Sequence, residues 1–451
     1  MKPTPPSPRL LIASGFFALA AARILAAGAA AVESPAEWID PDTGHRIVRL
    51  SREPGSASLY FHQNAFTPQG DKMIIVTPGG LSTINLKTRE IELVAPGVRY
   101  GMNNSNGIEV GRKTRTVYYQ KNLGGHTVIY ATDVDTRATR EIVALPFIGE
   151  FGGISCDETV MIGTTAYRAP GSPADQSQAA PPPPAAAPDS GGLAGPPGRR
   201  GGRGPRMLQF FTVNVQTGAV RTFFPSHDNL NHMQSSPTDP SLVLFAHEGN
   251  WHEVERIWTI RTDGTGVRLM HRRTMQYEIA GHEFFGRDGR MIWYDLQTPR
   301  SVNFWLAGVN VYTGERIRYP LAREQWSVHY NVSWDGRLFS GDGGGPDGVA
   351  NRTPLPEARP LVPPVNNKWI YLFTPVAGKF DTITVGGEPV KIGRFTAEKL
   401  VNMAKHDYSK VTGVEPNLMF TPDDKWLVFR SRMQGPMHIF AVEIARAGVA
   451  N

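Results

Sequence analysis

A turn followed by a hydrophobic strand recurs seven times along this chain of 451 residues: "FTPQGDKMIIV" (66–76), "EVGRKTRTVYYQ" (109–120), "ISCDETVMIGT" (154–164), "SSPTDPSLVLFA" (235–246), "FGRDGRMIWYD" (285–295), "VSWDGRLFSGD" (332–342) and "FTPDDKWLVFR" (420–430). A strand–turn–strand unit alternates with it, from "TINLKTREIEL" through "FFTVNVQTGAVRTF" and "WIYLFTPVAGKFDTITV" to the shortened "HIFAVEI". One unit of each kind makes a four-stranded antiparallel sheet. Such a sheet cannot bury both faces alone, so its repetition predicts an all-β, seven-bladed β-propeller over residues 36–446. The last blade lacks an outer strand at the C-terminus. "TGHRIVRLS" (44–52) has the matching pattern, so an N-terminal strand is expected to close the ring.

Two stretches stand outside this beat. Residues 1–31 carry Lys2 and Arg9, then the apolar "LLIASGFFALAAA", then small residues. This is the pattern of an export signal cleaved near Ala31, and Arg23 interrupts the apolar run that a stable membrane anchor needs. Export implies a periplasmic location. Residues 169–206 are Pro-, Ala- and Gly-rich without apolar periodicity, the composition of a disordered insertion within a loop. The single cysteine, Cys156, rules out an internal disulfide and reads as a small buried thiol. The signal holds +3 of the net charge of +6 and the insertion +2, so no basic stripe remains on the propeller for nucleic acid to follow.

In a propeller the first strand of each blade lines a central channel. Alignment of the seven turns places Gln63, Asn106, Phe151, His232, His282, His329 and Asn417 at one height, flanked by His62, Asn64, Gln234, Glu283, Asn331 and Glu415. Water in a channel accounts for the amides. It accounts poorly for histidine on three successive blades when the chain has only 12. Titratable residues converging in a cleft mark a functional site. "HEGNWHEVERIW" adds His247, Glu248, His252 and Arg256, and "KHDYS" adds His406. No zincin, Walker or nucleophile-elbow motif is present.

"LYFHQNAFT", "HMQSSPTDP", "HEGNWHEVERIW", "AGHEFFGRDGRMIWYD" and "EPNLMFTPDDKWLVFRS", in this order on successive blades, resemble the oligogalacturonate lyase family of seven-bladed propellers. The resemblance implies β-elimination of short, acidic galacturonate oligomers with a divalent metal, typically Mn²⁺. It implies His282 as the Brønsted base, Arg256 as the catalytic arginine and His329 as a metal ligand. The family's paired His-Pro-His ligands stand here as "EPN", which puts Glu415 and Asn417 in the metal set. These are oxygen donors suited to Mn²⁺, Mg²⁺ or Ca²⁺. An export signal is a second departure from the best-known members. His232, Gln234, His247, His406 and His62 are expected to orient the sugars or complete the metal shell. A non-catalytic propeller of the TolB type, binding sugar or protein, and a lyase for another uronate-containing glycan are the alternatives.

Overall fold

In three of the recurring turns, a Ser or Thr hydroxyl bonds the Asp side chain two residues on and also caps the following strand. Ser155 Oγ donates to Asp157 at 2.6 Å and accepts the Val160 amide at 3.0 Å. Ser333 does the same with Asp335 and Leu338, and Thr421 with Asp423 and Trp426. Short polar side chains that satisfy the backbone locally are what stop a strand and turn it back. This explains why these three turns are visible in the sequence.

The computed structural model describes residue 1 and residues 35–98, 107–167, 207–249, 251–344, 368–378, 380–408 and 414–447. The export signal, the insertion at 169–206 and Asn106 lie outside the described residues. Seven sheets of largely antiparallel strands follow one another along the chain. The blade of His282, for example, runs Ile279–Phe285, Met291–Gln297, Phe304–Asn310 and Arg316–Leu321. First strands of neighbouring blades touch: Asn229–Ser235 meets both Gly149–Ile154 and Ile279–Phe285, and Tyr330–Val332 meets Met419–Phe420. The core lies between blades, as in the cluster of Phe284, Trp293, Tyr319, Trp326, Tyr330, Phe339 and Phe373. Among the described residues no helix is long and apolar enough to cross a membrane.

The last blade combines both ends of the chain. Met419–Phe420, Trp426–Ser431 and His438–Arg446 are joined by His45–Arg49, which pairs antiparallel with the C-terminal strand, and Glu37–Ile39 adds a fifth strand outside it. One expectation needs correction. "WIYLFTPVAGKFDTITV" is not a hairpin: Trp369–Pro375 pairs with Phe395–Asn402, whereas Asp381–Val385 pairs with Glu388–Ile392. Gly386 and Gly387, at φ 59° and 85°, form the tight turn that twisted antiparallel strands prefer. This hairpin extends the preceding blade through a parallel pairing of Glu388–Ile392 with Arg316–Leu321. Cys156 is a half-buried free thiol rather than a core residue.

Candidate active site

Three of the aligned channel positions share an unusual backbone. His232, His282 and Asn417 have φ of 50°, 47° and 51°. In two of their blades the ladder slips at this point, between Asn231 and Gln234 and between Gly281 and Phe284. A bulge leaves one residue unpaired and re-aims its side chain. Positive φ costs a non-glycine residue on the order of 1 kcal/mol or more, and such strain collects at functional sites.

The re-aimed side chains meet around His282 and His329, whose rings stand edge to face with centroids 4.7 Å apart. His282 Nδ1 donates to the Asp295 carboxylate at 3.0 Å, and His329 Nδ1 donates to Asp342 at 2.8 Å. Asp342 also accepts the His329 amide at 2.9 Å. All four side chains are at most 4 % exposed. Each aspartate fixes its imidazole with the proton on Nδ1 and leaves Nε2 to act as acceptor. Burial pulls the His282 pKa down, but the Asp295 charge outweighs it and the net shift is upward. Burial dominates at His329, which is pushed down to about 3 and stays neutral, while Asp342 is raised by burial to about 7. The Tyr60 hydroxyl lies 3.2 Å from His329 Nε2, and the Glu415 carboxylate 3.6 Å from it.

Arg256 sits on the other side of His282. Its two terminal nitrogens donate to Glu248 at 2.9 and 3.2 Å, and its Nε donates to Glu283 at 3.2 Å. Burial opposes its charge, but these carboxylates outweigh burial and raise its pKa. Trp251 orders both catalytic candidates: the guanidinium lies 4.6 Å from its ring centre and the His282 ring 5.0 Å. Gly281 makes room for that indole, since a Cβ there would meet its ring carbons at 2.7 and 2.8 Å. Gly281→Ala is therefore expected to displace Trp251, loosen both His282 and Arg256, and reduce turnover while the blades stay folded. Near- and far-ultraviolet circular dichroism alongside the rate would check this; full turnover in the variant would remove Trp251 from the site.

The remaining expected residues divide. His62 and His232 belong to the cluster, with ring centroids 6.1 Å apart and Tyr60 beside both at 5.0 and 5.8 Å. Burial lowers the pKa of each. Three buried atoms here have no hydrogen-bond partner: His62 Nε2, and His232 Nδ1 and Glu283 Oε1, which face each other at 3.9 Å. Buried polar atoms are rarely left unmet, so this group suits a polar ligand. Gln234 spends its amide on the Glu283 carbonyl at 2.7 Å and supports that wall. His247 points elsewhere: its ring stacks on Trp258 at 4.9 Å and its Nδ1 meets Asp228 at 3.2 Å. His406 has both nitrogens committed, to Ser431 Oγ at 2.8 Å and to the Val414 carbonyl at 2.6 Å.

The expected metal set does not assemble. Asn417 is fully buried, its Oδ1 accepts the Phe61 amide at 3.2 Å, and its Nδ2 donates to the Glu415 carbonyl at 3.1 Å. That leaves His329 Nε2 and Glu415. Among the described residues no three His, Cys, Asp or Glu side chains are placed to share an ion. These residues do not fit a three-donor metal site. Sequence reasoning passed over Tyr60, Trp251, Asp295 and Asp342. The two aspartates carry a readable signal, because each follows its histidine by 13 residues on successive blades.

Comparison with known proteins agrees with this architecture. The family model for oligogalacturonate lyase matches residues 205–447. The oligogalacturonate lyase of Dickeya dadantii is 22% identical over 423 residues, spanning 90% of this chain and 95% of that protein. The oligogalacturonide lyase of Pectobacterium atrosepticum is 24% identical over 238 residues, about half of each chain. A solved oligogalacturonate lyase in complex with manganese superposes with a TM-score of 0.66 at 18% identity, covering 91% of this chain and 96% of the other. The enzyme from Vibrio parahaemolyticus gives 0.67 at 18% identity, covering 91% and 97%. The non-catalytic alternative is thereby set aside, and the chain belongs to the oligogalacturonate lyase family of enzymes.

Proposed function

We propose that this enzyme cleaves 4-linked galacturonate oligomers by β-elimination, with His282 taking the C5 proton. The observation that carries this reading is the His282–Asp295 pair. The aspartate holds Nδ1, which leaves Nε2 on the opposite edge of a ring packed between His329 at 4.7 Å and Trp251 at 5.0 Å. A neutral imidazole positioned in this way is a competent general base. Loss of the proton places charge on the C5 carboxylate group, which resists it unless a cation faces the developing enolate. Arg256 supplies that charge. Of its two partners Glu248 is the accessible one, 26 % exposed against 0 % for Glu283, and the uronate carboxylate takes its place. His232 and His62 then bond sugar hydroxyls through the nitrogens that lack partners. Elimination of the C4 oxygen leaves a 4,5-unsaturated uronate.

Glu248, Glu283 and Glu415 together outnumber Arg256, so the cluster is acidic for an anionic substrate. A divalent cation, manganese first because it is named for a solved relative, would lessen the repulsion and is the cofactor carried into the proposal. The same charge balance favours, as a second reading, a uronate glycan less densely charged than oligogalacturonate. Export to the periplasm is part of the proposal and rests on residues 1–31.

Incubation with galacturonate oligomers and other polyuronates should produce the ultraviolet absorbance of a 4,5-unsaturated uronate, recorded with added Mn²⁺ and with EDTA. Silence on every substrate under both conditions would end the lyase assignment for this chain.

A further inference from the structure

The catalytic cluster occupies only part of the channel. Gln234, Phe284 and Asn331 each lie two residues past a channel histidine, one strand step nearer the turns. With residues from three other blades they enclose a second space of about 30 Å³, and His62 borders both this space and the cluster. From the charges that line it we propose that this space binds one small monovalent anion, a halide such as chloride, held between Arg112 and Arg287.

The lining carries two guanidinium groups and one carboxylate, those of Arg112, Arg287 and Glu109. Arg112 meets Glu109 at 3.9 Å, too far for a hydrogen bond. Glu109 instead accepts the Ile154 amide at 3.0 Å. Arg287 donates from one terminal nitrogen to the Asn331 side-chain oxygen at 3.2 Å and rests 4.6 Å from the Trp334 ring centre. Its buried Nε has no hydrogen-bond partner. The one carboxylate that acts on Arg287, that of Asp424, already accepts the Trp334 and Asp335 amides at 2.7 and 3.0 Å. The electrostatics agree with this count. Burial and repulsion from Arg112 pull Arg287 down to about 10, whereas Arg256, buried but gripped by two carboxylates, is raised. The space therefore holds one positive charge more than it balances, and a buried charge is costly unless it is paired.

Size selects the ligand. A water needs roughly 10–15 Å³ of such space, so 30 Å³ admits a halide and excludes a sugar acid. This is therefore not a further sugar subsite. Arg112 follows the first strand of one blade, Ile108–Val110, and Arg287 follows that of another, Ile279–Phe285. An anion between them ties two blades that are not neighbours in the ring. Because it binds the folded ring alone, it stabilises the fold as its concentration rises.

The test uses the full chain, with chloride and bromide as probes. At constant ionic strength, sodium isethionate, whose anion is too large for the space, is replaced stepwise by sodium chloride. The thermal midpoint should rise by roughly 2–5 °C along a saturating curve. Arg287→Met keeps bulk without charge and should lose this shift; Arg112→Met serves in its place if that variant does not fold. Crystals of the unaltered protein grown in bromide should show anomalous scattering between Arg112 and Arg287. A missing peak, a midpoint indifferent to chloride, or an equal shift in the variant would overturn the site. A bromide peak without the saturating shift would mean an adventitious ion only and would overturn it equally. Neither readout uses the elimination reaction, so the lyase reading stands or falls separately.

Discussion

His282→Ala is expected to lower turnover of galacturonate oligomers by about 10²- to 10⁴-fold, the usual contribution of a positioned general base. Substrate binding should change far less, because the proposed sugar contacts are those of His62 and His232. The variant should also lose C5 deuterium exchange, which ties the loss to proton abstraction. A pH profile sharpens the test. The base acts when neutral, and the Asp295 charge raises its pKa in spite of burial. Activity should therefore rise with pH through a midpoint above the ordinary histidine value of about 6.5. In Asp295→Asn the raising charge is gone while burial remains, so the midpoint should move to lower pH as the rate falls. An unmoved midpoint in that variant would detach His282 from the profile.

Arg256→Ala carries the largest expected cost to the fold. Glu283 is fully buried and Glu248 is 26 % exposed, and Arg256 is bonded to both. Removing one partner of a buried charge network leaves the other charges uncompensated, at about 3–5 kcal/mol. Chemical denaturation should show this as a lower midpoint with an unchanged slope. Arg256→Lys keeps the charge but cannot reproduce the two-pronged grip on Glu248, so it should recover much of the stability and little of the activity. Unchanged stability in Arg256→Ala would mean that the two glutamates are not held as described.

The architecture was legible because each blade repeats a polar turn followed by a hydrophobic strand, and aligning those turns is enough to bring His232, His282 and His329 to one height. Other residues were misjudged for reasons that a linear reading does not expose. His247 and Glu248 are adjacent on the strand Leu242–Glu248, and neighbours on a strand face opposite sides. Glu248 turns to Arg256, while His247 turns to Trp258. His406 is near the site in sequence terms, yet Ser431 and the Val414 carbonyl use both its nitrogens. Asn417 occupies the expected channel position, but its amide is consumed by Phe61 and Glu415 backbone groups contributed by two different blades. Hydrogen-bond satisfaction of this kind depends on tertiary neighbours. The hairpin Asp381–Val385 with Glu388–Ile392 was missed because its partner strand belongs to the preceding blade.

The left-handed residues at 232, 282 and 417 have a consequence for how such a channel changes over time. There the backbone fixes the direction of the Cα–Cβ bond, whatever side chain is attached. Histidine and asparagine are among the few non-glycine residues that tolerate this conformation, and β-branched residues are penalised. Each of these three blades therefore presents a mount with a short permitted vocabulary. Asparagine can therefore stand at 417 on the same left-handed backbone that carries histidine at 232 and 282.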